Sequence, residues 1–98
     1  MAAINASKYL PKVKEHLTSV DIEGEAVIYD EAHGNLHHLN RTAAMVFSMC
    51  DGTATVEEVS EDISETYGVP LAQVIEEVTV LIERFAEANL LVDSINVG

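Results

Sequence analysis

The spacing of apolar residues changes once along this chain, near residue 40. Before that point lie short β-branched or alternating runs such as Val20–Ile22 and Ala26–Tyr29, which are typical of β-strands. After it, apolar residues recur every three or four positions to about residue 89, which is the period of an amphipathic helix. Because the strands precede the helices, the pattern predicts an α+β domain.

Three strands are predicted between Leu17 and Leu39. The pair Gly24-Glu25 can form a tight turn after the first strand, and residues 30–35 form a second turn that contains Gly34. Turns this short join antiparallel neighbours. We therefore expect a three-stranded antiparallel meander.

Three helices are predicted after the sheet. Asn40 can cap the first helix, which ends near Asp51-Gly52. Thr55 and Glu58 have the spacing of a capping box at the start of the second, and the third covers about residues 71–89. The predicted fold is a three-stranded antiparallel sheet followed by a three-helix, winged-helix-like bundle.

The chain has room for one small domain. Residues 1–16, in which Pro11 would break a helix, are expected to be a flexible N-terminal arm. Residues 17–92 form the folded domain, and residues 93–98 a C-terminal tail. The chain lacks a long apolar run and an apolar signal stretch, and Cys50 is its only cysteine. We therefore expect a cytoplasmic protein.

The net charge of −12 restricts the classes of partner. All three lysines lie within residues 1–16, so the acidic residues are concentrated in the folded domain. Such a domain repels phosphate backbones and anionic lipid surfaces, which argues against nucleic-acid and membrane binding. The acidity either keeps a small protein soluble or attracts a basic partner.

The order of elements also admits a winged-helix DNA-binding regulator as an alternative function. A recognition helix needs side chains that reach phosphates and base edges. The third predicted helix has Arg84 as its only basic residue. The second has none, and its charged positions include Glu57, Glu58, Glu61 and Glu65.

No catalytic residue, metal site or cofactor is predicted. His37 and His38 are neighbours on a strand, so their side chains point to opposite faces and cannot share one ion locally. Cys50 falls on the apolar stripe of the first helix, where a thiol packs as a small hydrophobic group with a raised pKa.

The third predicted strand is a candidate for peptide binding. It covers residues 36–39 and leads directly into a helix, with Leu36 and His38 on the same face. If it lies at the edge of the sheet, its free N–H and C=O groups can pair with an added peptide strand.

Several short motifs in this order resemble the PqqD family. They include a strand-to-helix junction with a "G-x-(hydrophobic)-H-x-L-N-x-T-A" pattern, a "C-D-G" turn and a "Y-G-V" helix end. The resemblance extends over about residues 17–92. It is carried by residues 25–30, 34–40, 42–44, 50–52, 55–56 and 67–69.

The resemblance implies a RiPP recognition element, a non-catalytic domain that binds the leader of a ribosomally made, post-translationally modified peptide. The leader would add as an antiparallel strand beside the third strand, in a cleft closed by the third helix. Partners would be the precursor peptide and a modifying enzyme or leader peptidase, and the domain would be a monomer or homodimer.

Carried onto this chain, the resemblance implies a binding edge formed by Leu36, His37, His38 and Leu39. Helical spacing, not a matching motif, selects the residues of the helix wall. His38 stands where an apolar residue is expected. The predicted wall residues are Val74, Val78 and Leu81.

Overall fold

The computed structural model describes residues 9–92 and confirms the predicted fold. Three strands precede three helices. They are β1 (Leu17–Ile22), β2 (Glu25–Asp30), β3 (Asn35–Leu39), α1 (Arg41–Ser48), α2 (Val56–Tyr67) and α3 (Leu71–Glu87).

The strands form an antiparallel sheet in the order β1-β2-β3. Ile28 at its centre lies opposite Ser19 on one side and His37 on the other. The first turn is centred on Glu23 and Gly24, whose φ angles are 53° and 88°, and not on Gly24-Glu25 as predicted. Two-residue hairpin turns need positive φ at their central positions, and glycine adopts it without strain.

One face of the sheet is buried and the other is open. On the inner face Ala26, Ile28 and Leu39 are buried and contribute to the hydrophobic core. The outer face carries apolar side chains that stay exposed, including Tyr29 and Leu36. Their alternation follows from the two-residue period of a strand.

The first two helices begin as the local sequence predicts, although α1 ends at Ser48, before the predicted end near Asp51-Gly52. The Asn40 side chain accepts a hydrogen bond from the Ala43 N–H (2.9 Å). Thr55 and Glu58 make both bonds of a capping box. Tyr67 is 62% exposed; α2 ends at this residue, and Gly68 follows with a φ of 68°.

The core joins all three helices to the sheet. The rings of Phe47 on α1 and Phe85 on α3 meet edge to face, with centroids 5.4 Å apart and planes at 89°. Aromatic pairs prefer this geometry over face-to-face stacking. The contact fixes α3 against α1 beneath the sheet.

Part of the predicted arm lies against the domain. Pro11 is buried, and its carbonyl accepts from the Gly52 N–H (3.0 Å). The Val13 N–H donates to the Cys50 carbonyl, and the Lys14 N–H donates to the Leu90 carbonyl, each at 3.0 Å. Residues 1–8 and the tail at 93–98 lie outside the described residues, so the division into arm, domain and tail stays a prediction.

Candidate peptide-binding site

β3 is an edge strand. It pairs with β2, and within residues 9–92 no other strand lies on its opposite side. The described part of the arm lies instead against residues 50–52 and 90–92. In an antiparallel ladder, alternate residues direct their N–H and C=O groups away from the partner strand. The outer edge of β3 therefore offers backbone groups to a guest strand.

The four predicted residues of β3 alternate between the two faces. His37 and Leu39 lie on the inner face, opposite Ile28 and Ala26 of β2. Leu36 lies on the outer face and is 68% exposed. His38 lies there too.

His38 forms an ion pair on that outer face. Its Nε2 lies 2.8 Å from Oε1 of Glu25, and both side chains are exposed. Exposed pairs contribute about 0–1 kcal/mol. The polar residue at this position is thus accommodated on an open surface, where an apolar side chain is not required.

His37 has a buried nitrogen without a partner. Its Nε2 forms no hydrogen bond within the described residues. Leaving such a polar atom unsatisfied costs about 1–3 kcal/mol. His37 thus places an unsatisfied nitrogen on the inner face of the edge strand.

The predicted helix wall lies along a groove between the helices. Val74 and Val78 are buried and Leu81 is half-buried, and all three line a groove of about 890 Å³. Residues 36–39 do not line it. Of the seven predicted residues, the three helix residues share this groove, and the other four form the strand edge.

The groove has walls that sequence reasoning did not assign to the site. They come from the turn between β1 and β2, from α1, from α2 and the loop after it, and from one more residue of α3. The signal for α1 was its apolar residues on more than one face, including Met45. The added residues are Glu23, Gly24, Arg41, Thr42, Met45, Val46, Ile63, Tyr67, Val69 and Glu77.

A buried carboxylate holds the turn that leads into β3. Asp30 is 1% exposed. Its oxygens lie 3.1 Å from His16 Nε2 and 2.9 Å from His33 Nδ1, and Oδ1 accepts from the Ala32 N–H (3.1 Å). Burial opposes ionisation, but hydrogen bonds from His33 and His16 outweigh it and lower the pKa of Asp30. Sequence reasoning treated Asp30 and His33 as turn material only.

Cys50 belongs to the core, as predicted. Its thiol is buried and donates to the Val46 carbonyl (3.2 Å). Burial, with a smaller contribution from the Asp51 charge, raises the pKa of Cys50 to about 12. Within residues 9–92 there is no cluster of three or more His, Cys, Asp or Glu side chains that could hold a metal ion. No helix in that range is long and apolar enough to span a membrane.

A family model described as coenzyme PQQ synthesis protein D (PqqD) matches residues 25–91. The chain belongs to the PqqD family. The match begins at β2 and includes β3 and all three helices of the PqqD-family domain. No curated protein sequence matches the chain significantly.

Solved structures share the fold of this PqqD-family domain. TbiB1 in complex with the TbiA(beta) leader peptide has a TM-score of 0.75 at 20% identity, covering 85% of this chain and 96% of that one. Lasso peptide synthetase B1 complexed with the leader peptide has a TM-score of 0.74 at 16% identity, covering 85% and 98%.

A third structure is a PqqD truncation of Methylobacterium extorquens PqqCD. It is described as a functional and stand-alone RiPP recognition element. Its TM-score is 0.75 at 18% identity, and the alignment covers 92% of this chain and 95% of that one. The shared fold includes both the sheet and the helices of the PqqD-family domain.

Proposed function

We propose that this PqqD-family domain binds the leader segment of a ribosomally made precursor peptide and presents it to a modifying enzyme or leader peptidase. The observation that carries the proposal is the unpaired outer edge of β3 within the described residues. Two structures with the same fold hold leader peptides, and a third is described as a RiPP recognition element, which supports the assignment.

In the proposed complex the leader adds as an antiparallel strand beside Leu36–Leu39. Each backbone hydrogen bond contributes about 0.5–1.5 kcal/mol net. A leader side chain buried in the groove contributes about 1.5–3 kcal/mol. Ordering a flexible leader offsets much of this gain. Binding is therefore reversible, as transfer between enzymes requires.

The helix residues play two roles in this proposal. Val74 and Val78 are committed to the core and shape the groove from beneath. Leu81 and Met45 are half-buried and line the groove, so they are available to contact leader side chains. His37 gains a hydrogen-bond partner for its buried Nε2 when the leader docks.

The proposed role needs binding without catalysis, and it requires no cofactor. The partner enzyme performs the chemistry, and the domain works in the cytoplasm as a monomer or homodimer. Its net charge of −12 favours a leader or an enzyme with a basic surface.

Titration of ¹⁵N-labelled protein with the leader peptide encoded beside its gene tests the proposal. We expect amide shifts along residues 35–39 and in α3, and none with a scrambled leader. Unmoved signals in both segments would contradict it. Retardation of promoter DNA at moderate salt would instead favour the DNA-binding regulator.

A further inference from the structure

The outer sheet face, on the side of the sheet away from the core, is mostly apolar. Four of the seven large apolar side chains that stay exposed within residues 9–92 lie on it. An antiparallel sheet with one solvated face normally directs polar residues outwards, whereas clustered exposed apolar side chains mark an interaction surface. The face carries Thr18, Val20 and Ile22 of β1, Glu25, Val27 and Tyr29 of β2, and Leu36 and His38 of β3.

The polarity of β1 is the reverse of what a solvated outer face requires. Val20 and Ile22 lie on the outer sheet face and are 52% and 55% exposed. Ser19 and Asp21 lie on the inner side, in register with buried residues of β2. An outer position that meets only water needs no apolar side chain. The pattern therefore indicates that a partner covers β1 from the outside.

The charged groups of this face are paired or lie at its ends. Nε2 of His38 and Oε1 of Glu25 are 2.8 Å apart, so the two ionisable groups of the middle row and its end form one pair. Glu23 and Glu31 lie in the turns before and after β2, are exposed, and form no ion pair within residues 9–92. A complementary partner has an apolar centre and basic side chains at its rim.

A second copy of the chain does not meet these requirements. Three strands about 4.8 Å apart and about 20 Å long give a footprint of roughly 300 Å², whereas a stable interface buries about 800 Å² on each partner. Each copy would also bring the same acidic ends. Because the chain has a net charge of −12, two copies repel each other. The face fits a transient contact with a different protein.

The outer sheet face is continuous with the proposed leader edge. Leu36 is exposed on this face and belongs to β3, the strand beside which the leader is proposed to add. Side chains alternate along a strand, so every second residue of the added leader would lie on the outer sheet face, next to Leu36 and His38. The bound leader would thus widen the face from three strands to four.

We propose, on the basis of the leader binding proposed above, that the outer sheet face docks the enzyme to which the leader is presented. The enzyme contributes an apolar surface over Val20, Ile22 and Tyr29, and basic side chains that face Glu23 and Glu31. Because a bound leader adds a strand to the docking surface, the loaded domain binds the enzyme more tightly than the free domain. The enzyme is thereby directed to domains that carry a precursor.

The test measures binding of the full chain to each purified modifying enzyme or leader peptidase encoded beside its gene. Biolayer interferometry gives the dissociation constant for the enzyme, and a separate titration gives that for the leader. Val20→Gln should weaken enzyme binding about tenfold, because the burial of an apolar side chain is lost, and should leave leader affinity unchanged. The matched control Ser19→Gln alters the neighbouring exposed residue on the inner side and should change neither affinity.

A second variant keeps the test independent of folding. The double variant Val20→Thr, Ile22→Thr retains branched side chains that suit a strand and should also lower enzyme affinity. Thermal unfolding of each variant checks that the fold persists. Saturating leader should raise the enzyme affinity of the unaltered chain severalfold.

Four results would overturn the proposal. The first is an enzyme affinity that Val20→Gln leaves unchanged or that Ser19→Gln lowers equally, and the second is equal enzyme affinity with and without leader. The third is a doubled mass of the free chain that Val20→Gln abolishes, which would assign the face to a second copy. The fourth is nuclear Overhauser contacts between Val20 and residues 1–8 or 93–98, which would assign it to the chain itself.

The two proposals fail in distinguishable ways. Leader binding is read at residues 35–39 without enzyme, and its absence would contradict the proposed function. Leader binding that persists, with enzyme affinity insensitive to Val20→Gln, would contradict only the docking role of the outer sheet face.

Discussion

The carboxylate of Asp30 and the ring of His33 lie 2.9 Å apart, from Oδ2 to Nδ1, across the turn between β2 and β3. The second carboxylate oxygen lies 3.1 Å from the His16 ring, just before β1. The buried carboxylate of Asp30 thus connects the residue before β1 with the turn before β3. The start of the proposed binding edge depends on this cluster, which makes it the first target for mutation.

Asp30→Asn should lower the melting temperature at neutral pH. It should also make the melting temperature less dependent on pH in the acidic range. Hydrogen bonds from His33 and His16 keep the folded-state pKa of Asp30 below its ordinary value, which is about 3.9 in unfolded chains. The stability from this shift is present above about pH 4 and is lost as the pH falls through the folded-state pKa. Melting curves from neutral to acidic pH measure it. Asp62→Asn, at an exposed position on α2, is the control; an equal effect of both changes would contradict the prediction.

Leu81→Gln should weaken leader binding about tenfold. The change removes a side chain that lines the helix groove, and burying a residue of this size contributes about 1.5–3 kcal/mol. Isothermal titration calorimetry measures the dissociation constant. Val80→Gln is the matched control, because Val80 is adjacent, 42% exposed and outside the groove lining. Equal losses of leader affinity in the two variants would show that the leader does not bind in this groove.

His37→Phe should weaken leader binding without lowering the stability of the protein. The substitution removes the unpaired buried Nε2, so the free energy of unfolding should stay equal or rise by up to about 1–3 kcal/mol. Leader affinity should fall, because the guest loses its partner at this position. Urea denaturation and calorimetry give the two quantities. Val80→Phe, at an exposed position of α3 outside the groove lining, should leave affinity unchanged, and a loss equal to that of His37→Phe would exclude a specific role for His37.

The Cys50 thiol should be unreactive in the folded protein. With its pKa raised to about 12, roughly one thiol in ten thousand is ionised at pH 8, and the thiolate is the nucleophile. Labelling with a chromogenic disulfide should therefore require unfolding of the protein, and its rate should increase with the denaturant concentration. Free cysteine at the same pH is the reference. Rapid labelling without denaturant would contradict burial of the thiol.

Features that depend on neighbouring residues were predictable from the sequence. The caps at Asn40 and Thr55 use side chains within three residues of the bonds they make. The change in apolar period predicted the order of sheet and helices, since period reflects which residues share a face. The two hairpins were predicted from their short turns. The first turn is centred on Glu23-Gly24, one residue earlier than predicted.

Contacts between distant residues were not predictable in this way. His16 reaches Asp30 only after β1 and β2 pair. Lys14 meets Leu90 and Asn89 because the arm packs beside the segment that follows α3. Periodicity placed Val74, Val78 and Leu81 on one face of α3. It could not reveal that their groove is completed by α1 and α2 and does not include residues 36–39.

The sequence by itself determined the elements of this protein, their order and their buried faces, because propensity, capping and amphipathic period act over a few residues. Only the tertiary structure decided which strand edges stay free and which side chains meet across the chain. Those properties arise when distant segments pack, and the pairing of β2 with both neighbours leaves β1 and β3 as the edges.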